Sequence, residues 1–285
     1  MEERTVAPGV IQVGLRSDTL PPFDRTWTTV VLANGRALLV DPGFSDPDDA
    51  DRLLDRLRAH GMRDLAGVVL THGHDDHVTG LPALLRATGA VPVRAHPLEI
   101  GRIPTQKVAP LQDGRTLMVA GRTVRAVHTP GHAPGHLVLV VDGEGVIGGD
   151  LATGSGAPWI GLPEGDADAY LDSLARVRAL RPRWLALAHG PATPDADAAL
   201  DAARDHRLAR ERSLLDARAT PLTLEPLIVR TYGERYAPDG AASDRERHLV
   251  RASVSAQLLR LMRALRVVHL GEGEDGPFVR REGAR

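Results

Sequence analysis

The chain reads as an α/β fold of two sheets with helices packed outside them, followed by a smaller unit. Three observations predict it. Short apolar runs come in turn-separated pairs, with helical stretches recurring between them. A chain of 285 residues with 42% apolar content can bury one ordinary core and a small companion. After Pro194 the texture becomes charged, Ala-rich and helical, which divides the chain into residues 1–205 and residues 206–285.

Thr28–Leu32 and Ala37–Val40 flank Ala33-Asn34-Gly35-Arg36, an Asn-Gly hairpin signal. Asp41-Pro42-Gly43 ends the second run, and Asp48–His60 reads as a helix stopped by Gly61. Leu65–Leu70 is a continuous apolar run, hence a buried strand, and Val78–Thr88 a second helix. Thr116–Val119 and Thr123–Val127 pair around Ala120-Gly121-Arg122, and Leu137–Val141 pairs with Val146–Ile147 around Asp142-Gly143-Glu144-Gly145. Ala167–Leu180 is helical, Trp184–Ala188 is a buried strand, and Asp195–Ala217 is one long helix bridging the two units. In the tail, Val250, Val254, Leu258, Leu261 and Leu265 form one stripe on a helix from about Ser243 to Leu265. Val267–Leu270 and Pro277–Arg280, joined by the Gly- and acid-rich 271–276, close the chain as a hairpin. Helices followed by such a hairpin make a winged-helix-like unit.

The formal charge is −2, but it divides into about −6 up to Asp205 and about +4 from His206 onward. A mildly basic tail is compatible with an anionic partner and equally with a solvated face. There is no cysteine, so disulfides are excluded and any metal must be held by nitrogen and oxygen. Zinc fits such a set best, with manganese or iron as alternatives. Met1–Pro22 has no apolar core behind a basic start, and no run reaches membrane-spanning length. The expectation is a cytoplasmic protein with no membrane partner.

His72, His74, Asp76 and His77 fall within six positions, a density that no helix or strand requires. They follow the buried run Leu65–Leu70, and Gly73 lets the chain turn, so the cluster sits on a loop at a strand's carboxyl end. That pattern is a metal site. Two ions need about seven or eight protein donors and a shared solvent molecule, so more must arrive from elsewhere. His132 in Thr-Pro-Gly-His, Asp150 in Gly-Gly-Asp and His189 in Ala-His-Gly each follow an apolar run and sit beside glycine. Singly, each reads as a turn residue; together they complete the donor set. Two divalent ions about 3.5–4 Å apart hold a hydroxide between them, because metal binding lowers the pKa of water to roughly 7. Such a hydroxide attacks a carbonyl or phosphoryl centre.

Asp41, His72-x-His74-x-Asp76-His77, His132, Asp150 and His189 resemble the five ordered motifs of the metallo-β-lactamase superfamily, over residues 30–190. The resemblance implies an αββα sandwich as the catalytic domain. It puts His72, His74 and His132 on one ion, Asp76, His77 and His189 on the other, and Asp150 between them. It makes Asp41 a brace for the metal loop, and gives Asp76 a second duty as the catalytic group that orients the hydroxide. A cysteine ligand, found in the antibiotic-hydrolysing zinc enzymes, is missing. His128 and His136 read as neighbours of the site rather than ligands, and His60, His96, His206, His248 and His269 as isolated surface or core residues.

Substrate is read from the tail and the loop after Asp150. The tail, from His206-Arg207 to Val267-Val268, resembles the winged-helix extension of β-lactamase-like protein 2, an endoribonuclease selective for single strands. That implies cleavage of single-stranded RNA, with Arg247 and Arg251 on phosphate. The alternative is hydrolysis of a small acyl ester, thioester or lactone. The Thr129–His136 stretch is similar to glyoxalase II, although the Lys and Tyr that grip glutathione there are absent after Asp150. On that reading Trp159 and Leu162 line the pocket mouth. A third reading makes the protein a metal-dependent regulator that binds nucleic acid. Apart from substrate, the tail either covers an apolar face or pairs copies in a homo-oligomer. Removing residues 206–285 is expected to weaken RNA turnover and spare small-ester turnover.

Overall fold

The computed structural model describes residues 1–216, 221–270 and 276–281. The first sheet collects β1 (Glu2–Ala7), β2 (Val10–Arg16), β3 (Arg25–Ala33), β4 (Arg36–Val40), β5 (Asp64–Val69), β6 (Val93–Ala95) and β7 (Val108–Pro110) in that spatial order. It is antiparallel from β1 to β4 and parallel from β4 to β7. The second sheet holds β8 (Thr116–Val119), β9 (Arg122–His128), β10 (Leu137–Val141), β11 (Gly145–Gly149) and β12 (Leu185–Leu187), again mixed, with β12 parallel to β11.

Alternation along the strands decides which layer each residue joins. In β4, Ala37 and Leu39 face a core shared with α1 (Asp49–Ala59) and α3 (Leu81–Thr88), while Leu38 and Val40 face a core between the sheets, with Val124, Leu137 and Leu139. The other side of β10, Val138 and Val140, packs against Tyr170, Leu174 and Val177 of α4 (Ala167–Ala179) and against Leu200 and Ala203 of α5 (Ala196–Asp216). Helix, sheet, sheet, helix is the αββα sandwich. The β3–β4 turn carries positive φ at Asn34 (49°) and Gly35 (81°), as a two-residue hairpin matched to strand twist requires.

One predicted helix starts later than expected. The helix expected over Val78–Thr88 begins only at Leu81 as α3, and Val78 ends a separate single turn, α2 (Asp75–Val78); Gly80 between them lies against another segment. A Cβ there would sit 2.5 Å from the Pro42 carbonyl oxygen, and the Gly80 N–H donates to that oxygen at 2.9 Å.

The tail follows the predicted order. After α5 come α6 (Leu224–Tyr232), α7 (Asp244–Arg263) and the antiparallel pair β13 (Val267–His269) and β14 (Phe278–Arg280); Ala217 and residues 271–275 lie outside the described residues. Ser243 caps α7 in a reciprocal box with Glu246. Leu214 and Leu215 from α5 join Leu227, Val254, Leu258 and Leu261 in a fourth core. Among the described residues no helix is long and apolar enough to cross a membrane.

Candidate metal centre

The sequence places the candidate metal motifs at the carboxyl ends of strands in both sheets. Thr71–His77 follows β5, Asp41 ends β4, His132 follows β9, Asp150 ends β11 and His189 follows β12. All seven predicted donors converge there. His72 Nε2, His74 Nδ1 and His132 Nε2 stand 3.0, 3.0 and 3.1 Å apart. The edge of a tetrahedron with bonds of ~2.0–2.1 Å is about 3.3 Å, so three corners are nearly set. Asp76, His77 and His189 form a second group. Asp150 lies between: its Oδ1 is 3.4 Å from His77 Nε2 and from His189 Nε2, and its Oδ2 is 3.3 Å from His132 Nε2.

Each imidazole is aimed by the nitrogen it does not offer, which fixes the tautomer. His77 Nδ1 meets Asp41 Oδ2 at 2.9 Å, His132 Nδ1 meets the Trp159 carbonyl at 2.7 Å, and His189 Nδ1 meets the Arg25 carbonyl at 3.3 Å. His72 Nδ1 meets Thr71 Oγ1 at 3.1 Å, and that hydroxyl donates to Asp41 Oδ2 at 2.6 Å. His74 is reversed and offers Nδ1, because its Nε2 faces Glu164 Oε2 at 3.3 Å. Arg102 holds Glu164 through two bonds of 2.5 and 2.6 Å. Asp41 also accepts the Thr71 N–H at 2.8 Å, so it braces the loop from both ends.

Electrostatics separate the two groups. Burial drives His72 well below its ordinary range and His132 down to about 4 against the pull of Asp150, leaving neutral donors. Burial also acts on His77, but the Asp150, Asp41 and Asp76 carboxylates outweigh it and hold the ring well above its usual value. His189 is raised too, burial being overcome by Asp150 and Asp76. Asp150 stays far below the carboxylate range despite its burial, because His189, His77 and His132 surround it. His77 Nε2, Asp150 Oδ1 and His189 Nε2 are buried without a hydrogen bond. Orphaned atoms in a ring of nitrogen and oxygen donors fit divalent cations, and the donor set fits a pair.

One residue that positions the site, Glu99, carries no signal of its own in the sequence, whereas His136 reads there as a neighbour of the site. Glu99 is fully buried; its Oε2 accepts the Gly73 N–H at 3.0 Å and its Oε1 the Gly135 N–H at 2.7 Å, tying the His72–His77 loop to the His132 loop. Its one clue is position, just past the end of β6, the strand beside β5. His136, pushed down to about 3 by burial, accepts the Asp150 N–H at 3.1 Å and meets Thr129 Oγ1 at 2.9 Å. Glu99→Gln keeps the shape but turns one acceptor into a donor facing an N–H. Metal affinity is expected to fall about 10–100-fold, the usual cost of losing support behind the ligands, as read by chelator competition. Unchanged affinity would remove Glu99 from the support.

Above the donors opens a cavity of about 880 Å³. Trp159 lines it, as do Phe23, Tyr236, Arg235, Arg245 and Leu249. Arg247 and Arg251 do not. Arg247 is bound to Asp244 and to the Ala242 carbonyl, and Arg251 to Glu225. Leu162 is also outside the lining; its N–H donates to the Ala252 carbonyl.

Fold and site together define a metal-dependent hydrolase. Residues 21–189 match the metallo-beta-lactamase superfamily. Lactamase-like protein notP of Aspergillus sp. (strain MF297-2) is 38% identical over 132 residues, 46% of this chain and 40% of that protein. Atrochrysone carboxyl ACP thioesterase nsrC of Aspergillus novofumigatus is 28% identical over 243 residues, 81% of this chain and 73% of its own length. Thus the chain spans less than half of the first relative. A metallo-beta-lactamase family protein from Thermus thermophilus has the same fold, with a TM-score of 0.79 at 23% identity, over 97% of this chain and 100% of that one. The chain belongs to the metallo-beta-lactamase superfamily.

Proposed function

We propose that the protein hydrolyses a thioester, with two divalent ions held by His72, His74 and His132 on one side, Asp76, His77 and His189 on the other, and Asp150 shared. The observation that carries the two-ion reading is the Asp150 carboxylate, which turns one oxygen to each group. When bound, such a pair supplies acidified water and polarises the carbonyl oxygen under attack. Zinc suits the donors best. Asp76, despite its burial, is held far below the carboxylate range by His77 and His189, so it is ionised and able to accept a hydrogen bond that orients the attacking water. Asp41 keeps His77 aimed.

Thioester is favoured over RNA by two findings. A relative matched over 81% of the chain is a thioesterase by name. The cavity rim mixes Arg235 and Arg245 with Asp18, Asp75 and Glu246, and Arg235 is already bound to Glu246, so among the described residues the rim carries no continuous basic track for a phosphate backbone. The α6–α7–hairpin arrangement of residues 206–285 is read as winged-helix-like, serving as a wall of the cavity rather than a nucleic-acid reader.

The test incubates protein loaded with zinc, manganese or iron with acyl thioesters and, separately, with single-stranded RNA, beside an Asp76→Ala control. Thioester turnover lost in the control is the expected result. RNA cleavage without thioester turnover, sensitive to the same change, would reverse the assignment.

A further inference from the structure

The two groups of donors are held from different parts of the chain. In the second group, His77 and His189 are aimed by Asp41 at the end of β4 and by the Arg25 carbonyl at the start of β3, both in the first sheet. In the first group only His72 leans on that sheet, through Thr71 and Asp41. His74 and His132 are aimed instead by the Glu164 carboxylate and the Trp159 carbonyl, which sit on one loop between β11 and α4. A loop holds a side chain steady only where something ties it to the scaffold.

At the His74 end that tie is Arg102. It ends the turn Pro97–Arg102, which also carries Glu99, and its guanidinium donates to both Glu164 oxygens, at 2.6 and 2.5 Å. Position 73 lets it come close, since a Cβ on Gly73 would fall 2.7 Å from the Arg102 Cβ. Among the described residues His74 Nε2 has no hydrogen-bond partner other than Glu164 Oε2, at 3.3 Å. With 41% of the Arg102 side chain and 25% of the Glu164 side chain exposed, the pair adds little to the stability of the fold. Its two-pronged geometry does fix the direction of the carboxylate, and a ligating imidazole needs that from the partner of its far nitrogen.

We propose that Glu164, seated by Arg102, is a positioning residue for His74 that sets how tightly the first group holds its ion and leaves the ion of the second group unaffected. This rests on the two-ion reading and holds whatever the substrate. Without Glu164 the His74 ring is free to turn, and Nδ1 is no longer kept 3.0 Å from His72 Nε2 and His132 Nε2. The second group shares none of these supports.

The test titrates zinc into metal-free protein carrying isotope-labelled histidine. Chelator competition reads the number and affinity of the ions, and the ring-nitrogen signals of His74 and His189 report which group fills. Glu164→Ala is expected to weaken one ion by about 10–100-fold, to shift the response of His74 to higher zinc and to leave that of His189 in place. Arg102→Ala should move the same ion in the same direction by a smaller factor, because the carboxylate remains, and Arg102→Lys, which can still hold one oxygen, should recover part of that loss. The melting temperature of the metal-free protein should hardly change in any of the three. Equal weakening of both ions together with a fall in that temperature would make the pair a structural tie and overturn the proposal. Two ions bound by Glu164→Ala as tightly as by the unaltered protein overturn it too, and leave the two-ion reading standing. If the unaltered protein holds a single ion, the two-ion reading fails; the role of Glu164 stands if that ion reports through His74 and weakens in Glu164→Ala, and falls otherwise. No zinc bound at all overturns both.

Discussion

Asp150→Asn should leave a folded protein that holds close to one metal ion per chain instead of two and has lost thioester turnover by at least about 10³-fold, the scale seen when a group acting on the reacting charge is removed. The change is nearly isosteric, so packing is not what fails. An amide has one acceptor oxygen and no charge, and it cannot face both groups as the carboxylate does, with Oδ1 3.4 Å from His77 Nε2 and His189 Nε2 and Oδ2 3.3 Å from His132 Nε2. Removing the charge also takes away the main partner that keeps His77 and His189 raised. Both rings then lose protons more readily, but their cation loses a ligand. Elemental analysis of the purified variant and its thioester turnover decide the matter. Two ions per chain with near-normal turnover would mean that Asp150 does not join the groups, and the two-ion mechanism would go with it.

The candidate metal centre is legible because its densest part is local. His72, His74, Asp76 and His77 come from one loop, and a loop that presents four donors needs an unusual string of residues and a glycine. His132, Asp150 and His189 were found because strand ends beside glycine recur at the same edge of the sandwich. Glu99 and Glu164 were not, since each acts on residues 26 to 90 positions away and looks in sequence like an ordinary surface acid. β1 carries the half-exposed pattern of an edge, without apolar alternation, and β6 and β7 have only three residues each, so none of these announces itself. The split between α2 and α3 depends on Gly80 meeting Pro42, a contact invisible to periodicity. Arg247 and Arg251, expected from the sequence on phosphate, are placed by the structure outside the cavity lining. Their spacing put them on one helix face, but that face is used for ion pairs with Asp244 and Glu225.

Truncation after residue 205 should abolish thioester turnover and metal retention, against the expectation from sequence that small-ester hydrolysis survives. The cut falls inside α5, whose Leu200 and Ala203 belong to the core under the second sheet and whose Leu214 and Leu215 belong to the tail core. Arg207 is only 3% exposed, and its guanidinium donates to the Pro158 carbonyl at 2.8 Å. The next residue, Trp159, holds His132 by its carbonyl and is itself held by Leu249 of α7. The Leu162 N–H donates to Ala252, and Arg260 and Arg263 reach Asp168 and Asp166 at the start of α4. Removing the tail therefore strips the supports from the loop that aims His132, a proposed metal ligand, and exposes the apolar side of α5. Because the shortened chain is also expected to aggregate, Arg207→Ala serves as the gentler probe. It leaves the Pro158 carbonyl buried without a donor, a cost of about 1–3 kcal/mol, and should loosen residues 153–163 in hydrogen exchange while weakening metal binding. A soluble truncated protein that keeps two ions and full thioester turnover would show that the catalytic sandwich stands without its tail. The path from Arg207 through Trp159 to His132 would then carry no functional weight.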